Sequence, residues 1–365
     1  MYMDKDDAMS TMTSRERVLT ALKCQQPDRV PFLEPVIAES VALELLNLPP
    51  RLDGGSDEIN QSDADVLIGT LYDSAFYTPA ELAQALDLDG FGMYLFLRHE
   101  GIKQEIDGRT MIRQGGITSR VDLARIHLPD PDDPAIYVPY HDFVERNRST
   151  GKALYAFLNI GSDPVILGMG LENFAVAIYE QPDLVVDLFD LYTDWYAQAI
   201  VHLCEQGFDF IWFADDIAYK TAPYVSPQTF HELFVPRFRK VVDRCTLPWI
   251  FHSDGNLMPI MSDLLTLGMA GLHPLEPDAM DLNSLKRTIG SKVCLVGNIS
   301  VDRLSRGNTP EIEQLVRQAI TVAAPGGGFI LASSNSVTSY CKSHNVRAMI
   351  DALHRHGLYP GLVYG

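Results

Sequence analysis

Short apolar runs alternate with longer amphipathic stretches along most of the chain. Each run is rich in β-branched or aromatic residues and ends in polar residues, which is typical of strands buried on both faces of a parallel sheet. Eight runs fit this description, at residues 31–36, 90–97, 153–159, 208–216, 248–255, 269–276, 293–298 and 327–335. The pattern therefore predicts eight strands.

The stretches between the later runs predict helices. Residues 226–244 open with Ser226 as N-cap and proline at the first helical position, and residues 309–323 repeat this device with Thr309. Apolar residues recur at helical spacing in residues 182–206 and 345–356. The alternation predicts an α/β fold, a single (β/α)8 TIM barrel. A doubly wound sheet is the alternative, which is weakened because no GxGxxG motif follows an early strand.

The chain shows no internal boundary. No linker rich in Gly, Ser or Pro divides it, so we expect a flexible segment over residues 1–13 and one barrel domain over residues 14–365. The start lacks the apolar stretch of a signal peptide, and no run of about eighteen apolar residues occurs. We therefore expect a cytoplasmic protein without membrane contact. Five scattered cysteines without a CxxC pair favour reduced thiols.

The charge balance narrows the range of partners. Among 365 residues, 29 Lys and Arg face 48 Asp and Glu, which gives a net charge of −19. Such a surface repels phosphate backbones, so no nucleic acid partner is expected. A soluble acidic surface explains this balance, and acidic residues gathered in a site are the alternative.

Polar side chains follow the predicted strands. In a barrel the carboxyl ends of the strands build the active site. Each such residue alone could instead cap a helix or form a turn, but together they predict one polar cavity. The candidates at these ends are Glu34, Asn159, Asp215, Asp216, His252, Asp254, His273, Glu276, Asn298, Ser334 and Asn335.

The segment FHSDGN at residues 251–256 is the most informative of these strand ends. His252 and Asp254 are two residues apart, so on an extended strand they point to the same side. They could bind a metal ion through imidazole nitrogen and carboxylate oxygen. They could equally be an acid–base pair, or His252 could be packed beside a turn at Asp254 and Gly255. The sequence leaves these three interpretations open.

Two further carboxylate positions have a functional and a structural interpretation. Asp215 and Asp216 end a strongly apolar run, and because neighbouring residues alternate in direction, one of them is expected to face the barrel. That carboxylate could bind a cation, accept a substrate hydrogen bond or hold a proton. Either aspartate could instead cap a helix or bind a backbone amide. Glu276, in HPLEP, has the same two interpretations. No GxSxG elbow and no Walker loop offers another chemistry.

Several segments resemble the uroporphyrinogen decarboxylase superfamily. They are SRERVLTALKCQQPDRVPF at 14–32, FADDIAYKTAPYVSPQTFHELFVPRFRKVVD at 213–243, HPLEP at 273–277, GNISVDRLSRGNTPEIEQLVRQAI at 297–320, GGGFILASSNS at 326–336 and NVRAMIDAL at 345–353. The resemblance implies a (β/α)8 barrel. One branch of the superfamily decarboxylates uroporphyrinogen. The other contains methyltransferases that move methyl groups between corrinoids, thiols and methylated substrates, usually with zinc.

The chain departs from the decarboxylase pattern. Where that branch carries an RQAGR motif, this chain reads EPVIAES, with no arginine between Arg29 and Arg51. Its aspartate motif is missing near residues 91–98, and Asn335 stands at the place of its late histidine. A strongly acidic chain also suits a substrate with many carboxylates poorly. A lyase acting on a porphyrinogen or a smaller carboxylic acid is therefore the alternative function.

The methyltransferase pattern is kept in part. That branch often binds zinc through a His-x-Cys pair and a later Cys, and here His252 and Asp254 occupy the pair, with Asn335 or Ser334 at the later position. Carboxylate or amide oxygen in place of thiolate sulfur gives a site of hard ligands, which is a weaker type of zinc site than one with thiolates. The resemblance implies a corrinoid-dependent methyltransferase with a small-molecule methyl donor or acceptor. The corrinoid is expected on a separate protein, because no corrinoid-binding domain fits in this chain. A homodimer is left open.

The expected roles divide the candidates into three groups. The expected catalytic residues are His252, Asp216 and Glu276. The expected ligands of a zinc ion are His252 and Asp254. The expected substrate-binding residues are Glu34, Asn159, Asp215, Asn298 and Asn335.

Overall fold

A computed structural model describes residues 12–50, 65–72, 74–106 and 109–359 of the chain. Most of the predicted N-terminal segment, residues 1–11, lies outside them. In the described part no helix is both long and apolar enough to cross a membrane.

The fold is built on one eight-stranded sheet. The strands of the described part are β1 Val66–Thr70, β2 Gly90–Leu97, β3 Gly101–Ile106, β4 Arg109–Gly115, β5 Ala153–Leu158, β6 Phe210–Ala214, β7 Trp249–His252, β8 Gly271–His273, β9 Cys294–Ile299 and β10 Phe329–Ser333. The order in the sheet is β1-β2-β5-β6-β7-β8-β9-β10, and every neighbouring pair is parallel except β1 and β2. Strands β3 and β4 form a separate antiparallel hairpin. The predicted α/β architecture is confirmed.

Helices separate the parallel strands. The helices are α1 Ser14–Leu22, α2 Glu39–Leu45, α3 Pro79–Ala85, α4 Arg120–Leu123, α5 Val138–Asn147, α6 Ser162–Met169, α7 Leu171–Glu180, α8 Pro182–Glu205, α9 Pro227–Thr229, α10 Val235–Val242, α11 Met261–Thr266, α12 Leu282–Thr288, α13 Val301–Arg306, α14 Thr309–Ala323 and α15 Ser343–His356. Short 3-10 turns lie at Pro134–Ile136, Arg148–Thr150 and Met258–Ile260, and a π-helical turn at Phe230–Phe234 joins α9 to α10.

The four predicted helices are present, with one change of cap. Ser226 caps α9 as predicted, accepting a hydrogen bond from the backbone N of Thr229 at 3.1 Å. The cap of α14 is Asn308 rather than Thr309, because Asn308 Oδ1 accepts the hydrogen bond from Glu311 N at 3.1 Å. Thr309 is instead the first helical residue. An asparagine side chain satisfies the free amides of a helix start as well as threonine does.

The predicted first strand, residues 31–36, is a hydrogen-bonded connection and not a strand of the sheet. Leu331 N donates to Pro31 O at 2.9 Å, and Leu33 N donates to Leu331 O at 3.1 Å. On the other side, Asp89 N donates to Phe32 O at 2.7 Å, directly before β2. This segment therefore forms hydrogen bonds with β10, at one end of the sheet order, and with the residue that precedes β2, near the other end.

The sheet is buried on both faces. Alternate residues of β6 divide between two apolar clusters, with Ile211 and Phe213 in the outer cluster under the helices. Phe210 and Trp212 pack in the other, with Tyr155 of β5. This is the arrangement expected from continuously apolar runs, and it places the polar chemistry at the strand ends.

Candidate active site

Three neighbouring strands end at the same level of the sheet. In the parallel register Ala214 of β6 lies beside His252 of β7, and His252 lies beside His273 of β8. Asp216 follows the end of β6 by two residues, and Asp254 follows the end of β7 by two residues. The register therefore gathers polar side chains from separate parts of the sequence.

Asp216, His252 and Asp254 form a compact group that we call the Asp–His–Asp cluster. Each offers one potential ligand atom, and these atoms all lie within 4.8 Å of one another. His252 Nε2 is 3.8 Å from Asp216 Oδ1 and 3.8 Å from Asp254 Oδ1. The backbone N of Asp254 donates to Asp216 Oδ1 at 2.8 Å, which ties the two carboxylates' loops together.

Neighbouring polar groups hold the cluster in place. Asn335 Nδ2 donates to Asp254 Oδ2 at 2.6 Å. Gly255 N donates to Glu276 Oε2 at 2.7 Å, so Glu276 braces the loop that carries Asp254. The other carboxylate oxygen, Asp254 Oδ1, is buried and has no hydrogen-bond partner among the described residues. A buried carboxylate oxygen left without a donor is costly, which favours a cation at this point.

The electrostatics of the cluster lead to the same conclusion. Burial, together with the nearby charges of Asp216 and Glu276, raises the pKa of Asp254 to about 8, partly opposed by the Asn335 hydrogen bond. Burial lowers the pKa of His252, although the charge of Asp216 opposes this. Without a cation, the Asp254 carboxyl therefore holds a proton at neutral pH, while burial favours the neutral imidazole of His252. Neutral imidazole and ionised carboxylate are the forms that bind metal ions, so a metal ion bound here would displace the proton of Asp254.

His273 and Asp163 support the cluster in ways the sequence did not reveal. His273 Nδ1 lies 2.6 Å from His252 Nδ1, and the ring centroids are 4.8 Å apart with 30° between the ring planes. Asp163, in α6, accepts a hydrogen bond from Asp216 N at 2.8 Å through Oδ1. Its pKa is raised by burial and by the charges of Asp215 and Asp216. The sequence analysis placed His273 at a strand end but assigned it no role. Asp163 was not predicted as a site residue, because it lies several residues after the end of its strand.

Asp215 and Asp216 point in different directions. Asp215 is fully buried and accepts hydrogen bonds from Ser162 Oγ at 2.9 Å and from Asp163 N at 2.7 Å, as well as from the backbone N of Ile160. Burial raises its pKa to about 6 despite these donors. Asp215 therefore fixes the loop before α6, and it is Asp216 that joins the cluster.

Three other predicted substrate-binding residues, Glu34, Asn159 and Asn298, lie apart from the cluster. Glu34 is fully buried, and its carboxylate accepts hydrogen bonds from Ser333 N at 2.8 Å and Ser333 Oγ at 2.6 Å. Asn159 donates to Ala214 O and to Asp163 Oδ2, beneath Asp216. Asn298 lines a separate cavity of about 310 Å³. Of the five predicted residues, the structure brings only Asn335 into contact with the cluster.

Two cavities lie beside the cluster, and different helices and loops line each of them. One, of about 860 Å³, is lined by Asp216 together with α6 residues and Tyr224, and we call it the Asp216 cavity. The other, of about 670 Å³, is lined by Glu276, Asn335 and a group of hydroxyl side chains, and we call it the Asn335 cavity. The cluster is thus connected to one cavity through Asp216 and to the other through the Asn335 that binds Asp254.

The residues present fit a zinc ion. One imidazole nitrogen and two carboxylate oxygens are ligands that Zn²⁺ accepts, at bond lengths of about 2.0–2.2 Å. Tetrahedral ligands at that distance lie about 3.4 Å from one another, so the two 3.8 Å separations between His252 and the carboxylates, and the widest separation in the cluster, up to 4.8 Å, would have to shorten on binding. Three protein ligands leave a fourth position for substrate, as in catalytic zinc sites.

The fold and this site define an α/β enzyme scaffold with polar groups at the strand ends. The uroporphyrinogen decarboxylase (URO-D) family matches residues 165–356, and the chain belongs to that family. The Methylcobamide:CoM methyltransferase MtaA of Methanosarcina barkeri is 26% identical over 373 residues, covering 94% of this chain and 98% of that protein. The uroporphyrinogen decarboxylase of Methylococcus capsulatus is 24% identical over 253 residues, covering 65% of this chain and 69% of that protein.

A solved structure shares the fold over nearly the full length. It is a methyltransferase from Methanosarcina mazei, with a TM-score of 0.68 and 19% identity, covering 94% of this chain and 99% of that one. Together, the similarities over almost the whole chain support an enzyme of the transferase kind, a methyltransferase within the URO-D family.

Proposed function

We propose that this protein is a corrinoid-dependent methyltransferase whose reaction takes place beside a zinc ion held by Asp216, His252 and Asp254. The observation that carries the proposal is the Asp–His–Asp cluster, with a buried carboxylate oxygen that has no donor in the described part of the chain. Similarity to MtaA, a methylcobamide:CoM methyltransferase, supports methyl transfer between a corrinoid and a small substrate.

The zinc ion, when bound, would act as a Lewis acid that polarises a bound sulfur or oxygen atom. Asn335 keeps Asp254 in place through its 2.6 Å hydrogen bond. Glu276 lines the Asn335 cavity, and among the described residues its carboxylate accepts one hydrogen bond, from Gly255 N to Oε2. We therefore assign to Glu276 the role of taking the proton that the methyl acceptor releases. The corrinoid is a substrate in this proposal, presented by a separate protein.

The ligand set differs from the sulfur-rich pattern of the methyltransferase branch. Carboxylate oxygens are harder ligands than thiolates and transfer less electron density to zinc. The ion would therefore remain a stronger Lewis acid, and the acceptor or donor can be an oxygen compound as well as a thiol.

The experiment is metal analysis combined with methyl transfer from methylcobalamin. We expect about one zinc ion per chain in protein purified without chelators or a histidine tag. His252→Ala should lose the zinc and about a hundredfold or more of the transfer rate while staying folded. His231→Ala is the matched control, because His231 is an exposed histidine paired with Asp263. Full activity in folded His252→Ala would contradict the proposed site.

Decarboxylation is the second candidate, favoured by the similarity to the Methylococcus capsulatus enzyme. The larger Asp216 cavity suits it poorly, since its lining includes Asp163, Glu172 and Asp216 and no lysine or arginine among the described residues. The Asn335 cavity offers Lys220 and Arg306, but beside three carboxylates. A polycarboxylate substrate needs cationic partners. Formation of coproporphyrinogen from uroporphyrinogen well above the uncatalysed rate would favour this second candidate instead.

A further inference from the structure

His273 is the buried neighbour of the proposed metal ligand His252. It ends β8, is 0% exposed and lies beside His252 in the register of β7 and β8. The His252 ring meets it through the Nδ1 edges, with 30° between the ring planes, and Trp212 packs edge-on with ring centroids 5.0 Å apart. These contacts fix the orientation of the His273 ring.

The contact between the two histidines is a hydrogen bond between like atoms. Nδ1 of His252 and Nδ1 of His273 are 2.6 Å apart, so one of them carries the hydrogen and the other accepts it. A neutral imidazole carries one N–H, so this choice also decides which nitrogen of each ring has a free lone pair. If His252 donates, its Nε2 presents a lone pair to the carboxylates of Asp216 and Asp254. If His273 donates, His252 Nε2 carries a hydrogen and cannot bind a metal ion.

We propose that His273 is a positioning residue for the metal site, which accepts the Nδ1–H of His252 and so directs the Nε2 lone pair of His252 into the Asp–His–Asp cluster. The inference rests on the proposed function, because it concerns how the zinc ligand is prepared. Metal-bound histidines commonly donate their second ring N–H to an oxygen acceptor, which fixes tautomer and orientation. Here a second histidine takes that place.

The surroundings of His273 allow this assignment. With Nδ1 as acceptor, His273 carries its own hydrogen on Nε2, which is buried and lies outside good hydrogen-bond geometry with any acceptor among the described residues, while an interaction with the backbone of Ser333 favours the N–H form of this ring. No other hydrogen bond has to be broken when the hydrogen lies there. The direction of the histidine–histidine bond is therefore free to follow the metal ion.

Zinc affinity of two His273 variants tests the inference. Asparagine in place of His273 offers an amide oxygen as acceptor, whereas leucine offers none. Competition with a chromophoric chelator should show zinc binding 10- to 100-fold weaker in His273→Leu, the usual effect of removing such a partner. His273→Asn should stay within about threefold of the unchanged protein. Both variants lose the ring, so melting temperatures should fall alike and cannot account for the difference.

Nitrogen-15 NMR of labelled histidines reads the tautomer directly. In the zinc-loaded protein, His252 should carry its hydrogen on Nδ1, with scalar coupling to His273 Nδ1 across the hydrogen bond. Zinc binding unaffected by His273→Leu, equal weakening in both variants, or a bare Nδ1 on zinc-bound His252 would overturn this inference alone. Absence of zinc from the unchanged protein would overturn the metal site of the proposed function, and this inference with it.

Discussion

At the scale of single residues, Asp215 and Asp216 show how neighbouring carboxylates acquire different roles. Asp215 is fully buried beneath α6 and has its oxygens occupied by backbone and serine donors. Asp216 keeps 44% of its side chain exposed and faces His252. Alternation along an extended segment sends the two side chains to opposite sides. The first is therefore a structural group, and the second is available for chemistry.

This difference predicts opposite outcomes for two conservative changes. Asp215→Asn should lower the free energy of unfolding by roughly 2 kcal/mol or more, since the amide NH2 would face backbone N–H donors in a buried position. Asp216→Asn should change stability by less than about 1 kcal/mol, because its Oδ1 can still accept from Asp254 N, but it should lose zinc. Urea unfolding and zinc content of both variants provide the measurement. Equal stabilities would show that Asp215 does not hold α6.

Glu34 predicts a pH-dependent stability. Burial raises its pKa to about 8 in the folded protein, against a usual value of 4.5. The folded state thus binds a proton that the unfolded state has released, so this contribution is complete below pH 4.5 and is lost as pH rises to about 8. Glu34→Gln should remove a slope of up to about 1.4 kcal/mol per pH unit between those values. If the free energy of unfolding changes with pH in the same way for both proteins between pH 5 and 8, this prediction is wrong.

At the scale of elements, a buried ion network joins α1 to the sheet. Arg17 of α1 donates to Asp28 at 2.6 Å and to Asp89 at 2.5 Å. Asp89 also accepts a hydrogen bond from Phe32 N at 2.8 Å. The network therefore stabilises the place where residues 30–33 connect β10 to β2.

Removal of the Arg17 guanidinium should be strongly destabilising. Arg17→Met leaves two buried carboxylates without their closest cation, and the expected loss in the free energy of unfolding is about 3–5 kcal/mol. Arg120→Met is the control, because Arg120 pairs with Asp187 at the surface, with 59% and 44% of the side chains exposed. Its effect should stay below about 1 kcal/mol. Chemical denaturation of the two variants decides whether the network has this role.

The strands of the sheet differ in how well the sequence predicts them. Seven of the eight apolar runs are strands, since continuous burial requires continuous apolar sequence. The run at residues 31–36 contains Pro31 and Pro35, which lack the N–H that a central strand must donate, and in the described part it forms one isolated bridge, from Phe32 to Leu331. Strand β1, a short strand whose residues are all half-buried, was not predicted. The hairpin of β3 and β4 was not predicted because neither strand is continuously apolar.

The candidate site was predictable only where a local rule applied. The two-residue spacing of His252 and Asp254 places both on one side of β7. The approach of Asp216 and the contact with His273 depend on the register of β6, β7 and β8, which no local pattern encodes. Glu34 and Asn298 end or follow apolar runs in the same way, yet one is buried against Ser333 and the other lines a separate cavity.

At the scale of the whole molecule, the cluster lies where two cavities approach each other. A transfer reaction needs a donor and an acceptor on either side of the group that moves. Asp216 lines the larger cavity, and Asn335, bonded to Asp254, lines the smaller one. The geometry therefore suits separate entry of two substrates toward one centre.

Separate entry predicts that filling one cavity affects one substrate. Leu167 of α6 lines the Asp216 cavity and Ser336 lines the Asn335 cavity, and neither contacts the cluster ligands through a hydrogen bond identified in the described residues. Leu167→Trp should raise the KM of one of the two substrates, methylcobalamin or the methyl acceptor, about tenfold, which is about 1.4 kcal/mol of binding. Ser336→Tyr should raise the KM of the other substrate by a similar factor. Steady-state methyl transfer with each substrate varied in turn gives both values, and melting temperatures confirm folding. If both variants raise the KM of the same substrate, or each raises both, the two cavities do not serve separate substrates.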